Sequence, residues 1–129
     1  MALANETNRI SALRNVVNAD AEAEPALATL DLAFLAQQTF DDADLAREVL
    51  ILFADQARRV VPTLPNLAPE AQREAAHLLK GSARGIGAWA AAAIAEAYET
   101  AAPEARSTIH GDLAATFAAT QAAIARELA

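Results

Sequence analysis

The sequence predicts an all-α protein, an antiparallel up-down four-helix bundle with an additional short N-terminal helix or helices. Three observations predict it. Apolar residues recur at spacings of three and four in one segment after another. Hydrophobic residues make up 54% of the chain but aromatics only 5%, so alanine dominates and the core must come from close approach of helices bearing small side chains. Runs of β-branched residues and period-two alternation are absent. The 129 residues suffice for one principal core.

Each element has its own signal. Ile10, Leu13 and Val17 stand three and four apart, an amphipathic helix between about Thr7 and Val17 that Asn5 or Thr7 can cap. The run from Asn18 to Pro25 has no apolar period and ends in proline, which marks a linker. Residues 1–25 are therefore read as an N-terminal extension and 26–129 as the bundle. Asp31 caps a short helix carrying Leu32, Phe34 and Leu35 and ending around Phe40. Asp41 or Asp42 then starts a longer one, with Asp44 as a partner for the positive helix end. Its packing flank holds Leu45, Val49, Leu52, Phe53, Ala57 and Val60. Pro62 and Pro65 predict a kink or stop between Val61 and Leu67, because an interior proline costs roughly 3 kcal/mol.

Pro69 and Glu70 suit the first turn of the next helix. It is expected to run to about Arg84, where Gly85 and Gly87 supply turn residues. From Ala88 a helix with Trp89, Ile94 and Tyr98 runs to the Ala102-Pro103 break, both aromatics belonging to the core. The last helix runs from about Glu104 through Ile109, Leu113, Phe117, Ile124 and Leu128, with Gly111 its one weak residue.

The stretch from Ala76 to Ala88 carries the chemistry. At about 100° per residue, Arg73, His77, Lys80, Gly81 and Arg84 share one stripe of a helix, while Ala75, Leu79, Ser82, Ala83 and Ile86 share the packing side. Neutral imidazole is a strong nitrogen nucleophile near pH 7. Lys80, one turn beyond His77, can pair with the oxygens of a phosphoryl group on the ring, and Arg84 can add positive charge. Arg73 either adds to that field or meets a partner. Gly81 costs its helix roughly 1 kcal/mol relative to alanine, and its reason is steric access beside the ring. His110 has no such neighbours and reads as solvent-facing or partly packed. No acid cluster lies near the motif along the chain, so no metal site of its own is expected.

This stretch resembles the signature of histidine-containing phosphotransfer domains, the HPt modules of two-component phosphorelays, which read roughly His-x-Leu-Lys-Gly-Ser-Ala-x-x-x-Gly-Ala. His77, Leu79, Lys80, Gly81, Ser82, Ala83, Gly87 and Ala88 match at that spacing. The likeness extends more weakly over about residues 28–129. Where such domains often carry Asn or another polar residue, this chain has Gly85, so the helix is expected to end early. The resemblance implies a phosphorelay intermediate. His77 would accept a phosphoryl group from the aspartyl phosphate of a receiver domain and pass it to another receiver aspartate. The partners implied are response-regulator receivers or a hybrid histidine kinase, with Mg²⁺ supplied by the receiver and the carrier itself a monomer. An alternative is an HPt-like module that regulates a receiver or kinase without carrying phosphate. A third is an unrelated alanine-rich bundle that binds no receiver.

Composition narrows the remaining classes. Without cysteine there are no disulfides, thiolate nucleophiles or cysteine zinc sites. A formal charge of -7 opposes general nucleic-acid binding. No apolar run approaches the roughly 18 to 20 residues a membrane span needs, and Met1 to Asp20 lacks a signal segment, so a cytoplasmic protein is expected. No glycine-rich nucleotide loop is present, so ATP use is not expected, and the resemblance implies a phosphocarrier rather than an ATP-dependent kinase.

Overall fold

A computed structural model of the chain describes residues 28–129. The helix expected between Thr7 and Val17 and the boundary near residue 25 lie outside the described residues. Helix α1 spans Leu32–Gln38, α2 spans Ala43–Val60, α3 spans Pro69–Ile86, α4 spans Trp89–Thr100 and α5 spans Arg106–Leu128. All five are helical and the described residues contain no strand. Helices α2 to α5 form the antiparallel up-down four-helix bundle: each packs on the next, α5 returns to α2, and α1 lies across α2 and α3.

The chain's punctuation does what its residue types dictate. Asp42 caps α2, its carboxylate accepting from the backbone N–H groups of Asp44 and Leu45 at 3.0 and 3.1 Å. At Pro62 the α-helix gives way to a 3₁₀ turn over Val61–Asn66, because the proline has no N–H to continue the ladder. A second 3₁₀ turn, Pro103–Ala105, delays α5 to Arg106, two residues beyond the sequence expectation.

Two expectations are corrected. Helix α3 does not end at Arg84 but continues through Gly85 to Ile86. Of the two glycines only Gly87 takes the left-handed conformation, φ 80°, and the Ala88 N–H reaches back to the Ala83 carbonyl at 2.9 Å, so one glycine completes the stop. A Cβ at Gly85 would meet nothing within 4 Å, whereas one at Gly87 would lie 3.0 Å from the Asp31 carbonyl. Gly87→Ala is therefore expected to cost roughly 1–2 kcal/mol, with Gly85→Ala neutral or stabilising. Chemical denaturation of the two variants checks this, and equal costs would contradict it. The second correction concerns α2. Its buried residues are Leu50, Phe53, Ala54 and Ala57, and Leu52, expected in the core, is 67% exposed. Leu52 stands about 100° round the helix from Phe53, which turns it outward.

The core is made of small side chains between a few large ones. Ala76, Ala83, Ala91 and Ala95 are fully covered together with Leu64, Leu79 and Leu113. Large residues close the ends. At one end Trp89 packs edge-on against Phe34 with ring centroids 4.8 Å apart, and its indole N–H donates to Asp31 at 2.9 Å. Tyr98 is buried at the other.

Candidate functional site

Helix α3 turns Ala76, Leu79, Ala83 and Ile86 into the core. The opposite stripe therefore faces out, and the His77 side chain is 65% exposed. Helix α4 supplies what α3 lacks. Its apolar face, Ala91, Ala92, Ala95 and Tyr98, is buried. Glu96 and Glu99, three residues apart, consequently stand along the edge facing α3.

Glu99 is the centre of the arrangement. Its Oε2 lies 2.8 Å from His77 Nδ1, and its Oε1 lies 2.8 Å from Lys80 Nζ. The Lys80 contact is a close ion pair. The side chains of Lys80 and Glu99 are only 14% and 12% exposed. Burial pushes the Glu99 carboxyl up, but the contacts and charges of Lys80 and His77 outweigh it and hold the group below the ordinary carboxylate value. Glu99 is thus ionised near neutral pH. An ionised carboxylate can only accept, so Nδ1 carries a proton, and in the neutral ring Nε2 is then the nitrogen with the free lone pair.

The other cations of the stripe are also engaged. Arg84 bonds Glu96 across the helix pair at 3.2 Å, and Arg73 Nε donates to Glu70 one turn back at 3.2 Å. The Arg73 hydrogen bond draws the Glu70 carboxyl below its ordinary value. Of the predicted residues, His77 and Lys80 share one carboxylate, while Arg84 and Arg73 each have another. A Cβ at Gly81 would meet nothing within 4 Å, so the chain itself imposes no demand for glycine there. His110 is partly packed.

Sequence reading missed Glu99 and Glu96. The stretch from Ala76 to Ala88 itself contains no acid, but folding brings Glu99 to His77 and Glu96 to Arg84 from 22 and 12 positions away. Their spacing on an alanine-rich helix next in order was the available signal. An apolar patch around His77 is expected for binding a receiver, but its residues could not be named from sequence; Leu78 and Leu52 are half-exposed or more. Leu52 lines a shallow groove together with Val49, Gln56, Ser82 and Ile86. Among the described residues, no group of three or more His, Asp or Glu is placed to hold a metal ion, and no helix is long and apolar enough to cross a membrane.

No protein-family model, curated protein or solved structure matches the chain.

Proposed function

We propose that the chain is a histidine phosphotransfer carrier of the HPt type, receiving a phosphoryl group on His77 from one receiver aspartate and giving it to another. The observation that carries this reading is the exposed imidazole whose Nδ1 is held by Glu99, with Lys80 on the same carboxylate. In the reaction the Nε2 lone pair attacks phosphorus, the bond to the aspartyl oxygen breaks, and its electron pair leaves with the receiver carboxylate. The ring becomes a phosphorylated imidazolium whose Nδ1–H still faces Glu99. No proton enters or leaves, so the step runs backward toward a second receiver by the same path. Lys80 is within one turn to neutralise the phosphoryl oxygens, and the Leu52 and Leu78 rim supplies apolar surface for a receiver. The receiver brings the Mg²⁺, and the setting is cytoplasmic.

Incubation with a phosphorylated receiver tests the proposal. Acid-labile, base-stable label should appear on the wild type and be absent from His77→Ala; label persisting in that variant refutes it. Receiver binding without any label, unchanged in His77→Gln, would instead favour a regulatory module that carries no phosphate.

Gly81 separates access from stability. Gly81→Ala should raise stability by about 1 kcal/mol, since its Cβ has open space. Gly81→Gln should stay folded yet lose most labelling by receivers, because the longer side chain occupies space beside the ring. Full labelling of a folded Gly81→Gln would remove the access role.

A further inference from the structure

Arg106 is only 4% exposed, yet no carboxylate bonds its guanidinium. It opens α5, the positive end of a helix and the wrong end for a cation. A buried charge without partners costs several kcal/mol, so this one must be satisfied, and it is satisfied by the ends of two other helices. Nε donates to the Tyr98 carbonyl at 3.1 Å and Nη2 to the Glu99 carbonyl at 3.3 Å, both in the last turn of α4. Nη1 donates to the Pro69 carbonyl at 2.8 Å and to Gln72 Oε1 at 3.2 Å, both in the first turn of α3. The guanidinium also lies over the Tyr98 ring, 5.6 Å from its centroid.

Glu99 is thus gripped at both ends, its carbonyl by Arg106 and its carboxylate by His77 and Lys80. Most of the buried residues of α3 and α4 are alanines, with Leu79, Ile86 and Tyr98 among them, and an alanine offers little to key one helix axially against the other. A sliding or fraying last turn of α4 would carry the carboxylate off His77 Nδ1. We propose that Arg106 is the positioning residue of the site: by clipping the end of α4 to the start of α3 it holds Glu99 where it fixes the His77 ring proton on Nδ1. The consequence for transfer rests on the carrier reading; the effect on the ring does not.

Long-range ¹H–¹⁵N spectra of the full chain, recorded with no phosphodonor at a pH where the ring is neutral, read the tautomer directly. Wild type should show His77 with Nδ1 protonated and Nε2 bare. Arg106→Met should move His77 toward the Nε2–H form that free histidine favours. Introduced into Glu99→Ala, which has already lost the partner, it should add nothing. If Arg106→Met does not fold, Arg106→Lys keeps the charge but loses the fork, and should shift the tautomer part of the way. A folded Arg106 variant with the wild-type tautomer overturns the proposal, as does an equal shift with and without Glu99. Neither result touches the labelling experiment, so the carrier reading stands or falls separately.

Discussion

Glu99→Gln is expected to slow phosphoryl transfer to His77 by roughly ten- to a hundredfold, the usual cost of losing a group that orients a reactive imidazole. Glutamine has the same size but differs in two ways. It no longer stabilises the imidazolium that forms as phosphorus bonds to Nε2. Its amide can also donate to Nδ1, which places the ring proton on Nε2 and consumes the nucleophilic lone pair. Rapid-quench transfer from a labelled receiver measures the change, and a rate within twofold of wild type would remove Glu99 from the mechanism.

The same substitution has a signature in stability. Glu99 has its carboxyl lowered below the ordinary value of 4.5. A lowered carboxylate contributes stability that is fully present above the ordinary value and is lost as pH falls through the lowered one. Wild type should therefore exceed Glu99→Gln by about 1–2 kcal/mol at neutral pH, and the gap should close on acidification. A gap that stays constant or widens at low pH would contradict the assignment.

Leu79→Ala should be the most destabilising single truncation near the motif, at about 2–5 kcal/mol. Leu79 is fully buried, two residues from His77 on the opposite face of α3. Much of the surrounding core is alanine, including Ala76, Ala83, Ala91 and Ala95. An alanine has no rotamer through which to fill a void, so the cavity persists and the cost belongs in the upper part of the range. Against a typical domain stability of about 5–15 kcal/mol, that is enough to unfold a sizeable fraction of the chain. Urea denaturation reads it; a loss under about 1 kcal/mol would show that the helices close over the gap.

The helices were legible because proline, capping aspartate and apolar period act locally. Pro62 stops α2 and Asp42 starts it through contacts within a few residues. Gly85 misled because two glycines near a helix end look equivalent, while only the one whose backbone must turn left-handed, Gly87, makes the stop. Leu52 misled because a helix bordered on two sides has a wide apolar arc, and its edge is set by neighbours. In the site, His77, Lys80 and Gly81 could be placed on one stripe from spacing alone. Glu99 could not be joined to them that way, since its role depends on the axial register of a second helix, and Arg106 reads in sequence as an ordinary basic residue.

The chain has a single tryptophan. Its indole rests on Phe34 and Asp31 at the end of the bundle where α1 is seated. Intrinsic emission is consequently a native optical gauge of that seating, free of any attached dye. A receiver that leaves the emission maximum unmoved while saturating its binding curve leaves that packing intact; a red shift means that α1 has come away from the indole.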